Sequence, residues 1–275
     1  MTDPSIWNQV FIWPILNALI ALSKGFAFLG VPGSFGLAII TLTIIVRLLL
    51  YPLTTPQLKT AQKMAELKPH LDALKEKHGH DKQKFAQAQM DLYREHGINP
   101  AAGCLPLLVS LPFFIALYQV FLQVLGNGNL SLVVEQVNKI VYSPVLKIES
   151  LDLYFLGVNL AEKPSNWQAA GWGLLLVPPM TALFYFLQTK MMTPAPQKEK
   201  PKTETKSGIE EMMSSMTQGP MSWLFPLMFG FFSYQFPVGL SLYWNTYTVL
   251  GIAQQYFIMH DTSRRRSIMG RKKTN

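Results

Sequence analysis

The chain has 275 residues, 49% of them hydrophobic and only 15% charged, with 24 Lys+Arg against 16 Asp+Glu. A soluble domain carries about 25% charged residues, so the deficit excludes an ordinary soluble domain and points to the membrane. One cysteine, Cys104, excludes a disulfide framework and a cysteine-built zinc site. The net charge of +8 would suggest nucleic acid in a soluble protein; here its distribution relative to apolar runs is the informative quantity.

Residues 1–33 open the chain, and within them 6–29 are apolar enough to span yet are interrupted by Asn8, Gln9, Asn17, Ser23 and Lys24. The stretch lacks the positive n-region and small-residue cleavage site of a signal peptide. If it spanned, no Lys or Arg would hold Met1 in the cytosol. The reading adopted is therefore a helix lying in the outer interface, with Trp7 and Trp13 at headgroup depth; a sixth span is the alternative.

A bilayer core of about 30 Å needs roughly 20 apolar residues of helix. Five runs approach that: 35–53, 101–125, 171–189, 221–236 and 240–259, with Arg47 as their only charge. They set spans at 34–56, 101–126, 171–190, 220–237 and 238–259, the last two joined through Pro237-Val238-Gly239.

Between the first two spans, 57–100 is rich in Lys, Glu, Gln and His. Met64, Leu67, Leu71 and Leu74 make one helical stripe, and Phe85, Ala88 and Leu92 make a second. His78-Gly79-His80-Asp81 is a turn followed by an N-cap, so the segment reads as a charged helical hairpin. Residues 127–170 hold a short interfacial helix and a loop broken at Pro144. Residues 191–219 read as a disordered linker by their Pro, Lys, Glu and Thr content, and 260–275 form a basic tail.

Lys and Arg then assign the sides. The hairpin, the linker with Lys190 before it, and the tail carry 19, while the N-terminal segment and the 127–170 loop carry four, Lys24, Lys139, Lys147 and Lys163. The N-terminus is expected outside and the C-terminus in the cytosol. The expected fold is an all-α polytopic membrane protein with five transmembrane helices, a cytosolic helical hairpin and an N-terminal interfacial helix.

Arg47 lies about seven residues, hence about 10 Å, from the cytosolic end of its span. It either snorkels to the headgroups or serves a function, and ionisable residues inside spans are functional by default. No Asp or Glu occurs in the five spans, so its charge is met by water, lipid phosphate or an incoming acidic group. A water-filled cavity open to the cytosol allows all three. Thr43 shares its helix face. Gln119, Gln123, Gln188, Asn245, Thr246, Gln254 and Gln255 add uncharged polar groups, each of which could equally bond a neighbouring helix. The fourth run, 221–236, is about 24 Å of helix, short for the bilayer, and favours local thinning.

No Walker-type loop, dinucleotide fingerprint or nucleophile elbow is present, so bond-making catalysis is not expected. His70, His78, His80 and His96 give no closed ligand set, and no metal or cofactor is expected. A channel or small-anion transporter using Arg47 is the competing class; it should show inverted repeats, and none is clear. The basic tail, Arg264, Arg265 and Arg266 with Arg271, Lys272 and Lys273, serves either topology and anionic lipid or RNA of a membrane-bound ribosome; DNA is not expected.

Three separated motifs carry a family resemblance. Thr43-Ile44-Ile45-Val46-Arg47 with Tyr51-Pro52-Leu53-Thr54 is the first; Asn99-Pro100-Ala101-Ala102-Gly103-Cys104-Leu105-Pro106 with Leu111-Pro112-Phe113 and Leu117-Tyr118 is the second. Phe236-Pro237-Val238-Gly239-Leu240 with Leu242-Tyr243-Trp244 and Gln254-Gln255 is the third. From Ser34 to Met259 the chain resembles the YidC/Oxa/Alb membrane protein insertases, and is similar to their compact members without a large extracytoplasmic domain. Ser110 stands where the family often has Gln.

The resemblance implies a hydrophilic groove open to the cytosol and the lipid and closed toward the outside. Arg47 would attract acidic residues in a substrate tail, and entry of the substrate's apolar span into lipid would drive translocation. Thr43, Gln188 and Trp244 match groove-lining or substrate-contacting positions, and Gln119 joins them as a candidate. Lys75, Lys77, Lys82 and Lys84 of the hairpin, with Arg264, Arg265 and Arg266, would dock the Sec translocon, signal-recognition-particle targeting factors and the ribosome. The implied partners are nascent membrane proteins and the lipid bilayer.

Overall fold

The structure is a computed structural model, in which residues 2–126, 129–192 and 221–272 are described, the side chains of 82, 100–110, 192, 221–222 and 261–272 excepted. A π-helical turn, Asn8–Ile12, leads into α1 (Trp13–Phe28), followed by α2 (Ser34–Glu66), α3 (Lys68–His78), α4 (Lys82–Glu95), α5 (Pro100–Leu125) and α6 (Leu130–Ile140). A two-stranded antiparallel hairpin pairs β1 (Tyr154–Phe155) with β2 (Val158–Asn159). The short α7 (Trp167–Ala170) precedes α8 (Val177–Met192), α9 (Met221–Gln235) and α10 (Val238–Lys272).

All five apolar runs are helical. Among the described residues three helices are long and apolar enough to cross a membrane: Asn8–Phe28, Ser34–Glu66 and Trp172–Met191. Leu111–Leu125 of α5 is a shorter apolar stretch, and α9, at 15 residues, spans only about 22 Å. Among the described residues the architecture is that of an all-α membrane protein with one small β-hairpin.

Helix ends differ from the sequence expectation at two places. α2 runs through Pro52 and Pro56 to Glu66, ten residues beyond the expected end of the first span. α10 likewise continues as far as Lys272, so the backbone of the basic segment is helical where a tail was expected. A loss of apolar residues marks the end of a lipid-facing surface; helical hydrogen bonding continues past it wherever propensity allows. The linker expected at 191–219 falls, from 193 on, outside the described residues.

The Cα trace divides into two compact units. The first comprises Met1–Leu50, Leu108–Phe184 and Pro226–Leu250; the second comprises Tyr51–Leu107, Tyr185–Phe225 and Gly251–Asn275.

In the first unit Ile12, Leu16, Leu19 and Ile20 pack with Phe35 and Ile39, with Leu117, Val120 and Phe121, and with Val133, Val137, Leu160 and Leu240. Each of these is essentially solvent-free, so the α1 stripe is part of the core rather than an appendage. Side-chain amides fasten the segment that follows α6. Asn17 donates to Trp13 O and Ile140 O and accepts from the Tyr142 N–H at 2.8 Å. Asn138 exchanges two hydrogen bonds with the Ile148 backbone, at 2.8 and 2.9 Å. Lys24 Nζ donates to Val145 O and Lys147 O at 2.6 and 2.7 Å. The Asn17 and Asn138 bonds satisfy backbone groups in or at the edge of an apolar packing, where an unmade bond would cost about 1–3 kcal/mol; the Lys24 bonds are exposed.

The same segment caps the last helix. The N–H groups of Val238 and Gly239, unsatisfied at the start of α10 by helical geometry, donate to Glu162 O and Leu160 O, both at 2.8 Å. A Cβ on Gly239 would meet the Leu125 side chain and come within 3.4 Å of Leu160 Cβ. At the start of α2, a Cβ on Gly36 would overlap the Phe155 ring. Close approach thus requires glycine at Gly36, whereas at Gly239 the closest atom is the movable end of the Leu125 side chain.

In the second unit α3 and α4 pack on each other through a small core of Leu67, Tyr93 and Ile98, edged by Met64, Leu71 and Leu92. Asp81 caps α4 as its position after the turn suggests, accepting from the Lys84 N–H at 3.1 Å. Gln254 of α10 donates to the hydroxyls of Thr54 and Thr55 on α2, both at 3.1 Å.

Candidate functional site

Arg47 and Thr43 sit one turn apart on α2, as their spacing requires. Thr43 is buried, and its hydroxyl donates back to Ile39 O at 2.6 Å; this is the local bond that Thr makes when a helix offers nothing better. Arg47 is half-buried, and its Cζ lies 4.2 Å from the centroid of the Tyr247 ring on α10. That distance is well inside the range of a cation–π contact.

Tyr247 belongs to an aromatic chain. Its ring is 6.1 Å from that of Tyr243, which in turn lies 5.6 Å from Phe121 and 6.4 Å from Phe114 of α5. One residue on, Trp244 is packed edge-on against Phe229 and Phe236, at 5.5 and 6.0 Å.

Between these rings α10 carries buried polar atoms. Ser241 Oγ, Trp244 Nε1 and Asn245 Oδ1 are shielded from solvent and have no hydrogen-bond partner among the described residues. The three occupy positions i, i+3 and i+4, so they share one helix face. Together they offer a donor, an acceptor and a hydroxyl that is either. Such atoms mark a place that water or a polar chain completes.

Among the remaining sequence candidates, the Gln119 carbonyl oxygen on α5 accepts from the Trp7 indole N–H at 2.9 Å, which ties the N-terminal segment to α5. Phe11, one turn beyond Trp7, stacks edge-on with Phe113 at 5.5 Å. Gln188 is half-buried on α8 and belongs to the second unit. There, too, Lys75 and Lys77 on α3 are exposed, and the exposed Lys84 pairs with Asp81 at 3.2 Å. The side chains of Lys82, Arg264, Arg265 and Arg266 lie outside the described residues. No group of three or more His, Cys, Asp or Glu able to hold a metal occurs among the described residues.

Tyr247 and Ser241 escaped the sequence reading. The signal for Tyr247 was present, because Tyr243 and Tyr247 are one turn apart and Arg47 needed a neighbour other than a carboxylate. Ser241 gave no signal, since one hydroxyl in an apolar helix is ordinary.

The family model described as 60Kd inner membrane protein matches residues 27–265. That range takes in all three motifs. The chain belongs to the YidC family of membrane protein insertases. A relative from Fusobacterium nucleatum, named membrane protein insertase YidC, is 34% identical over 227 residues, 82% of this chain and 87% of that protein. A protein of the same name from Oceanobacillus iheyensis is 31% identical over 261 residues, 92% of this chain and 83% of that one. With the longer namesake from Methylobacillus flagellatus the identity is 31% over 258 residues, and the match takes up only 37% of that protein's length. The family and the apolar helices together make this a multi-pass protein of the bacterial inner membrane.

Proposed function

We propose that the chain is an insertase that receives apolar substrates in a hydrophilic groove, draws acidic substrate tails toward Arg47 and releases spans into lipid. The observation that carries this reading is the setting of Arg47. A permanent positive charge on an apolar helix is expensive, and here it stands over an aromatic ring beside the α10 helix. The buried polar atoms of Ser241, Trp244 and Asn245 on that helix would be completed by water or by the polar backbone of a passing chain. Thr43, Gln188 and Trp244 join Arg47 as substrate-contacting residues in this reading, and no bond-making chemistry is involved.

The arrangement of sides follows the positive charges: five spans, the N-terminus outside, the C-terminus in the cytosol. The N-terminal helix is placed along the outer interface on the same charge rule, since no Lys or Arg before Lys24 would hold that end in the cytosol. Lys75, Lys77, Lys82 and Lys84, with Arg264, Arg265 and Arg266, are the groups through which ribosome, targeting factors and Sec translocon would dock.

The test is insertion into liposomes that contain only this protein, with a single-span substrate carrying an acidic N-terminal tail, scored by protease protection. Arg47→Ala is expected to lower protection by at least tenfold, as loss of one favourable charge interaction of about 1.5–3 kcal/mol implies. Arg47→Lys should retain most of it. Protection unaffected by Arg47→Ala would return that residue to snorkelling.

A further inference from the structure

We propose that Tyr247 is a positioning residue for Arg47: its ring holds the guanidinium at depth in the membrane and so sets the preference for acidic tails. The inference rests on the insertase reading above and adds to it a residue and a mechanism.

An arginine on an apolar helix has a long, flexible stem, and the nearest polar surface is a strong competitor for its head. A site that needs the charge within the membrane must therefore hold it there. Tyr247 is suited to that. Its ring lies 4.2 Å below the guanidinium carbon, and it is itself fixed through Tyr243, which is 3% exposed and wedged against Phe121 and Phe114. The chain of rings runs from the core of the first unit to the cation. Rigidity passes along it because none of these rings can move without displacing its neighbour.

A guanidinium beside a ring keeps its charge and can exchange its hydrogen bonds for a two-pronged pair with an incoming carboxylate. A carboxylate partner would have neutralised the charge before substrate arrived, whereas an aromatic ring steadies it and leaves the net positive charge intact. An aromatic residue thus does at this position what an acidic residue could not.

The experiment compares Tyr247→Phe, Tyr247→Trp and Tyr247→Leu with the wild type in the liposome assay, using two substrates that differ only in an acidic or a neutral tail. Phe and Trp keep a ring face and should keep the acidic-tail rate within about twofold, while Leu should lower it by about fivefold to thirtyfold. The neutral-tail rate should not change, and Tyr247→Leu should add nothing in an Arg47→Ala background. Equal loss for both tails, or full additivity with Arg47→Ala, would overturn the proposal. A second readout needs no substrate: modification of Arg47 by phenylglyoxal, followed by peptide mass spectrometry. Slow labelling in the wild type that rises in Tyr247→Leu supports the positioning, and unchanged labelling overturns it. A wild type that inserts nothing, with Arg47 still protected by Tyr247, would locate the failure in the insertase reading instead.

Discussion

Among the described residues, the first unit buries Phe35, Phe121, Leu117, Leu160, Leu240 and a full face of α1, whereas the one core cluster in the second is Leu67, Tyr93 and Ile98 with three half-buried neighbours. Between spans in lipid the gain comes from close van der Waals packing and interhelical hydrogen bonds rather than from removing apolar surface from water. The first unit therefore has ample packing to hold costly features in place: an arginine over a ring, three shielded polar atoms, a backbone capped by foreign carbonyls. In the second, α3 holds no buried residue and α4 holds Tyr93, with Leu67 and Ile98 flanking the pair, so these helices depend on local propensity and capping. A stiff part that carries the strained chemistry sits in one chain with a loosely held charged part, and perturbations of the two should read out differently.

The largest effect is expected at Gly36. Replacement by Val would drive a side chain into the Phe155 ring, and since overpacking costs typically 1–3 kcal/mol and more where backbone must move, a loss of at least about 3 kcal/mol should appear as a lower melting temperature of the whole protein in detergent. A melting temperature within a degree of wild type would mean that the β1–β2 hairpin gives way freely and is not part of the stiff core. Asn17→Ala comes next. It removes three hydrogen bonds and leaves Ile140 O and the Tyr142 N–H without that partner, which at 1–3 kcal/mol for such a group predicts about 2–3 kcal/mol. Amide exchange in α6 should rise together with that of α1, and a change confined to α1 would break the picture of one core.

How far this was legible beforehand depends on the range of the interactions. The five apolar runs are visible because a bilayer selects composition over some 20 consecutive residues, and Asp81 is visible because a cap is local. Arg47 announced itself as a charge in an apolar run. Its holder, Tyr247, is 200 residues away, and Asn17 fastens backbone more than 120 residues distant. Nothing in the neighbourhood of such a residue distinguishes a packing amide from a substrate contact. Gln119 shows the same ambiguity, since it is a candidate substrate contact by sequence and its side-chain oxygen accepts from Trp7. The β1–β2 hairpin was missed because two-residue strands carry no alternation to detect.

The second unit should respond more gently and locally. Leu67→Ala removes one of three buried side chains, and a small, open core collapses around the gap, which places the cost at the low end for such changes, about 2 kcal/mol. It should accelerate proteolysis within α3 and α4 while the melting temperature of the whole protein stays put; a fall in that temperature would show that the small core supports the rest.

The smallest and most local effect belongs to Asp81. The Lys84 backbone N–H, and after it the Lys84 side chain, hold its carboxyl below the usual carboxylate range. A carboxyl depressed in this way stabilises α4 at any pH above its ordinary value, about 3.9, and that contribution fades as the pH falls through the lower folded value. Amide exchange at Lys84 and Phe85, corrected for its intrinsic pH dependence, should thus show protection that is level at neutral pH and lost in acid. Asp81→Asn keeps an acceptor for the N–H and should cap α4 with no acid dependence, whereas Asp81→Ala should leave the first turn frayed at every pH. If Asn proved as frayed as Ala, charge rather than hydrogen bonding would be the active ingredient of this cap, and raising the salt concentration would then fray the wild type as well.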